Sequence, residues 1–299
     1  MYTRMLVPLD GSEAAEKVLP YARGLARSLK ISVELLAVIE ISRYASSEKA
    51  RFLDALMDVA IRRNQEYLQR VATTFQGASA EWTVEAGVPE EVIITKAAQN
   101  KGTLITMATH GRSGINRWLL GSIAEKVLRG TNNPVLLVRA NEETKVEGES
   151  TPNSIIVPLD GSELAECILS AVVELARTIK LKVILLRSYS VKKHFIYGYE
   201  NYIRALDTLE AESKNAVLTY LDSKMQQLKS DGLVDVLSVV AEGDAAEAII
   251  ELAKGSPNSL IAMCSHGRSG VTRWVLGSVT EKAVRHSGNP VLVIRGEAT

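Results

Sequence analysis

The chain has 299 residues, 35 basic and 35 acidic side chains, no formal net charge and 46% hydrophobic residues. Balanced charge lacks the basic footprint of a general nucleic-acid binder, and no apolar run approaches the roughly 20 residues that a membrane-crossing helix requires. Two cysteines, Cys167 and Cys264, are too few for a disulfide framework and lack the paired spacing of a zinc site, so both are expected as reduced core or loop residues of a soluble, cytoplasmic protein.

Met5 to Glu13 reads MLVPLDGSE, an apolar strand broken by proline and ending in Asp10 at a turn, which is a strand rather than a signal segment. Helical periodicity follows over Glu13 to Leu29, a second strand over Ser32 to Ile39, and a long amphipathic helix near Glu48 to Phe75. Strands over Glu81 to Ala86 and Thr103 to Ala108 lead to a glycine-punctuated segment, THGRSGINRWLLGSIAEKVLRGTNNPVLLVR, whose last strand is Pro134 to Arg139. Runs such as VELLAVI and TLITMA are apolar at successive positions, the mark of strands covered by helices on both faces.

The same order then recurs. Ile155 to Glu163 reads IIVPLDGSE and Ser265 to Arg295 reads SHGRSGVTRWVLGSVTEKAVRHSGNPVLVIR. Strands repeat over Ser154 to Leu159, Lys182 to Tyr189, Asp235 to Ala241, Ser259 to Cys264 and Pro290 to Arg295, with helices over Glu163 to Lys180 and near Tyr202 to Ser230. Self-similarity of this kind fixes architecture. It predicts two α/β domains, residues 1–140 and 154–299, joined by a charged, turn-rich linker over 141–153. The length agrees, being about twice a domain of roughly 100 to 200 residues. Asp10 and Asp160 stand 150 apart whereas Gly111 and Gly267 stand 156 apart, so the second copy carries an insertion, placed near Val191 to Asn201, VKKHFIYGYEN.

Strands joined by crossover helices place a ligand crevice outside their carboxyl ends. Asp10 or Asp160, Val38 or Ser188, and the glycine-rich loop should converge there. That loop runs Ala108, Thr109, His110, Gly111, then nine residues to Gly121 and Ser122; its copy runs Cys264, Ser265, His266, Gly267, then nine to Gly277 and Ser278. Glycines let backbone amides approach a ligand closely. Ser-Ile-Ala-Glu125 and Ser-Val-Thr-Glu281 match a capping box, and a helix amino terminus favours phosphate. Amides of Gly121, Ser122 and Ile123 would serve a phosphate, with Arg112 and Arg268 adding charge-assisted contacts. The Ser122 hydroxyl serves either its own helix or a phosphate oxygen. Asp10 and Asp160 serve as helix caps, as acceptors for a ribose or base, or as both.

His110 and His266 read as structural histidines, Trp118 and Trp274 as anchors of the loop or of a partner surface, and His194 and His286 lack counterparts in the other copy, which gives a metal no support. Neither a Gly-x-x-x-x-Gly-Lys-Ser/Thr run nor a Gly-x-Gly-x-x-Gly after a strand occurs. No paired carboxylates, elbow serine or metal quartet recurs between the halves, so no catalytic residue is assigned.

At these residues both halves resemble the universal stress protein family, and the tandem arrangement resembles its two-domain members. The family pattern is Gly-x-x-Gly, nine residues, then Gly-Ser or Gly-Thr, after a first strand ending in aspartate. The resemblance covers nearly the whole chain apart from the linker. It implies two Rossmann-like domains of the adenine nucleotide alpha hydrolase-like kind, each a five-stranded parallel sheet with helices on both faces. It also implies adenosine contacts at Pro8, Leu9, Asp10 and Val38 and at Pro158, Leu159, Asp160 and Ser188. Phosphate contacts fall on Ala108, Gly111, Arg112, Gly121, Ser122 and Ile123, with Cys264, Gly267, Arg268, Gly277, Ser278 and Val279 opposite. The pattern's first glycine is Ala108 in one half and Cys264 in the other, where the larger side chain is expected to crowd a ligand; Ser188 is also less apolar than Val38. The first site is therefore expected to be the stronger.

The function so implied is a stress-response protein that binds ATP or another adenine nucleotide, with magnesium a candidate companion, and acts as a regulatory or protective module. A slow ATPase or phosphoryl-transfer enzyme and a nucleotide-free interaction scaffold are the rival readings. Expected partners are the nucleotide, the other half through the apolar last strands NPVLLVR and NPVLVIR, whose open edges need cover, and a second copy as a candidate homodimer. No nucleic acid and no membrane are expected.

Overall fold

Strands apolar on both faces must be covered on both faces, and alternating strand with helix achieves this. A computed structural model describes residues 2–40, 53–109, 120–139, 148–190, 200–265 and 276–296. In the first half β1 (Arg4–Pro8) leads through α1 (Glu13–Glu16) and α2 (Leu19–Leu29) to β2 (Ser32–Ile39). Next come α3 (Leu53–Ala72), β3 (Ala80–Ala86), α4 (Pro89–Ala98), β4 (Thr103–Ala108), α5 (Ser122–Gly130) and β5 (Val135–Val138). The second half runs β6 (Ser154–Pro158), α6 (Glu163–Glu166), α7 (Ile168–Ile179), β7 (Lys182–Tyr189) and α8 (Glu200–Ser230). It ends with β8 (Val236–Glu242), α9 (Ala245–Lys254), β9 (Ser259–Cys264), α10 (Ser278–His286) and β10 (Val291–Ile294).

The chain divides into two compact units, the first chiefly residues 1–151 with 290–295 and the second chiefly 152–273 with 277–289. In the first, β3-β2-β1-β4-β5 are parallel neighbours in that order, and β10 runs antiparallel beside β5 with Val291 opposite Leu137. In the second, β8-β7-β6-β9 are parallel neighbours. The inner strands β4 and β9 are buried at all six positions, as double-sided cover requires. No helix among the described residues is long and apolar enough to cross a membrane.

Two features depart from the periodicity. A single helix over Glu13 to Leu29 is broken between α1 and α2, and Pro20 sits in the first turn of α2, where its missing N–H costs nothing. The copy breaks only at Cys167, which ends α6 and precedes α7. Sequence periodicity also does not single out α4 and α9. Each has ten residues and starts at a local signal: Pro89 in one, and in the other Asp244, whose carboxylate accepts from the Ala246 and Glu247 amides at 3.0 and 3.1 Å.

The end of the predicted linker is packed. The Ser150 amide donates to the Pro20 carbonyl at 2.9 Å, the Arg23 guanidinium donates to the Gly148 carbonyl at 3.0 Å, and Arg27 pairs with Glu149 at 3.1 Å. Arg23 is in turn held by Thr74 at 3.0 Å and lies over the Phe75 ring. Gly24 permits the approach, because a Cβ there would run into the Ser150 carbonyl. The corresponding positions of α7 are Val173 and Glu174, so this berth belongs to the first half. Gly24→Val is expected to cost about 1–3 kcal/mol by overpacking, lowering Tm and speeding proteolysis between the halves. A wild-type Tm and cleavage rate would show that the segment does not pack there.

Candidate functional site

Parallel neighbours end on one edge, and this gathers the candidate residues. Pro8 pairs with Leu36, and the Leu9 amide donates to the Leu36 carbonyl at 2.8 Å, so Asp10 and Val38 leave adjacent strand ends together. Ala108 closes β4 opposite Val138, and Gly121, Ser122 and Ile123 open α5 on the same edge. The second unit repeats this with Pro158, Leu159, Asp160 and Ser188 on β6 and β7, Cys264 ending β9, and Gly277, Ser278 and Val279 opening α10. Gly111, Arg112, Gly267 and Arg268, together with His110, His266, Trp118, Trp274 and residues 191–199 of the insertion, lie outside the described residues.

Asp10 does not cap α1. Ser12 does, accepting from the Ala15 amide at 3.1 Å, while Asp10 Oδ1 accepts from the Ser12 amide at 3.0 Å and hydroxyl at 2.6 Å. Asp160 and Ser162 repeat the arrangement at 2.9 and 2.6 Å. Between aspartate and serine, Gly11 and Gly161 take φ of 75° and 85°, the left-handed region that glycine enters without a Cβ penalty. The cap predicted for the aspartates thus falls two residues later, and each aspartate is fixed at its strand end by the serine that caps the helix.

The predicted capping box at Ser122 and Ser278 does not form either. Gly121 and Gly277 occupy the cap positions, and Glu125 and Glu281 pair instead with Arg129 and Arg285, both at 2.5 Å. Ser122 and Ser278 are the first helical residues and are exposed. Glycine's own amide is spent within the chain: Gly121 donates to the Thr109 carbonyl at 2.7 Å and Gly277 to the Ser265 carbonyl at 2.8 Å. That removes Gly121 from the predicted phosphate donors. The amides of Ser122 and Ile123, in the first turn, have no intrahelical acceptor within reach. They open α5, where the positive end of the helix dipole lies. Nearby, burial alone would raise the Glu90 carboxyl, but Lys126 at 2.5 Å outweighs it and holds that group below its usual range.

Cys264, at the end of β9, turns its sulfur toward α6. Its Sγ lies 3.8 Å from the Ala165 carbonyl of α6, in a buried position. Burial pushes this thiol up to about 12. Thr280 donates to the Cys264 carbonyl at 3.1 Å, a tie that Ala124 cannot make at the matching place in the first half.

Two parallel α/β units, each with an aspartate at its first strand end and a glycine-led helix on the same edge, define a tandem Rossmann-like protein. The model of the universal stress protein family matches residues 1–139 and 152–295, and the chain belongs to that family. Among its relatives are two universal stress proteins of Methanocaldococcus jannaschii. One is 28% identical over 145 residues, covering 46% of this chain and 83% of its own. The other is 30% identical over 153 residues, covering 47% and 93%. A solved universal stress protein from Archaeoglobus fulgidus shares the fold over 98% of both chains, with a TM-score of 0.73 at 23% identity.

The thiols give a direct check of the Cys264 environment. At pH 8 a disulfide reagent is expected to label one cysteine of the native chain, Cys167, and two after unfolding. The sign follows from the raised value: a thiol near 12 holds almost no thiolate at pH 8, and thiolate is the reacting form. Rapid labelling of both in the native protein would contradict the burial.

Proposed function

We propose that the first half binds an adenine nucleotide, its phosphates held by the Ser122 and Ile123 amides and its ribose by Asp10. Support comes chiefly from the first turn of α5, where two amides have no intrahelical partner and Gly121 rather than the exposed Ser122 holds the cap position. The apolar end of the crevice, Pro8, Leu9 and Val38, suits a base. Ala108, Gly111 and Arg112 complete the family's phosphate set by position. Occupancy would act as a signal if the ligand binds two states of the protein unequally, which makes this a cytoplasmic regulatory or protective module of the stress response. Pairing of the two halves through their last strands would cover an apolar edge that each would otherwise expose. A binding role is favoured over phosphoryl transfer, which needs a positioned metal and nucleophile that neither repeat supplies in sequence.

Ser122→Pro isolates the proposed donor. Proline is well suited to a first helical position, and the extended cap at Gly121, φ −60° and ψ 142°, suits a residue that precedes proline. The variant loses one amide and one hydroxyl while keeping the helix. Loss of one hydrogen bond to a charged group, about 1.5–3 kcal/mol, is expected to weaken ATP binding roughly tenfold to hundredfold, measured by titration calorimetry with and without magnesium. Unchanged affinity would place the phosphates elsewhere. Absence of heat from the wild type would remove the nucleotide reading itself.

A further inference from the structure

The halves differ most sharply at one strand position beside the aspartate loop. Along β2, Val33, Leu35 and Ala37 point to one face and are all buried. Their counterparts on β7 are Val183, Leu185 and Arg187, so a buried methyl group in one half becomes a guanidinium in the other. That guanidinium lies against the loop that follows β6. A Cβ on Gly161 would stand 2.8 Å from both of its terminal nitrogens, and Gly161 directly follows Asp160.

The cation is clamped there. Its central carbon lies 4.3 Å from the centroid of the Tyr220 ring on α8, a cation–π contact that restrains the guanidinium. The ring is fixed in turn, because the Tyr220 hydroxyl donates to Glu166 Oε1 at 2.7 Å and Lys224 donates to the other carboxylate oxygen at 2.7 Å. Burial first, then Glu166, push the Tyr220 phenol up, so it remains a donor throughout the physiological range. Side chains of three elements, β7, α8 and α6, thus brace the second aspartate loop.

We infer that Arg187 sets the specificity of the second crevice, excluding the adenine nucleotide that the first accepts; this rests on the nucleotide reading given above. Two physical effects act together. A guanidinium lying against the loop that carries Asp160 can compete with a neutral ribose hydroxyl for that carboxylate, and a charge-assisted hydrogen bond is roughly twice as strong as a neutral one. The same group also packs against the loop backbone, which restrains the shift that accommodating a ribose would require. Ala37 brings neither charge nor bulk to the Asp10 loop. The halves then divide their labour, the first taking nucleotide and the second carrying a loop held by its own chain.

Equilibrium dialysis of ATP against the full chain tests this with two variants, Arg187→Ala, which installs the first half's residue, and Arg187→Met, which keeps length without charge. Thermal melting confirms that each is folded. The wild type is expected to take up about one equivalent, Asp10→Ala almost none, and each Arg187 variant two, the second at least tenfold tighter than any residual wild-type second site. Two equivalents of matched affinity in the wild type would overturn the inference. So would folded Arg187 variants that still take up one. Failure of the underlying reading looks different: no uptake by the wild type or by any variant.

Discussion

Parallel strands impose a single geometric condition, that the chain re-enter the sheet from the same end each time. Every crossover therefore leaves from one edge, and everything that departs from regular structure on leaving a strand collects there. Asp10, the end of β2 and the start of α5 meet because of this rule and not because they attract one another. The cost is borne by composition: β4 and β9 must be apolar at all six positions, which leaves polar chemistry to the loops.

Turn chemistry keeps the two backbones nearly superimposable in their angles while the side chains around them diverge. The Ser12 and Ser162 caps take φ and ψ of −90°, 150° and −89°, 149°. Gly121 and Gly277 agree within a few degrees, and Lys30 and Lys180 both end their helices in the left-handed region at 56° and 57°. Against this constant frame, Glu34 holds Arg4 at 2.9 Å and Lys96 at 3.0 Å in the first half, where the second has Ser154 and Ile184 at the positions of Arg4 and Glu34. Ala124 against Thr280 and Ala37 against Arg187 are further exchanges of this kind. The frame is set by a few short-range hydrogen bonds, so side chains facing away from it are free to change.

Strands and the duplication were legible in the amino-acid order because both are local properties. An apolar run such as TLITMA states its own double-sided burial, and a repeated PLDGSE states a repeated turn. Caps were legible only in part. In Asp-Gly-Ser-Glu two residues compete for one role, and the winner, Ser12, is decided by the backbone angles that Gly11 permits. At Gly-Ser the glycine wins, because its amide is drawn to the Thr109 carbonyl and its position falls outside the helix. Arg187 was not legible at all. Its surroundings come from Gly161 and Tyr220, distant in the chain and adjacent only once β6, β7 and α8 are assembled. The turn of the Cys264 sulfur toward α6 was hidden for the same reason.

Having both copies in one polypeptide changes what such divergence can achieve. Separate chains carrying alanine or arginine at this place would assort at random into like and unlike couples, their proportions drifting with expression level. A fused pair is always one of each. Asymmetry becomes a fixed attribute of every molecule, inherited through a single reading frame rather than maintained by the balance between two genes.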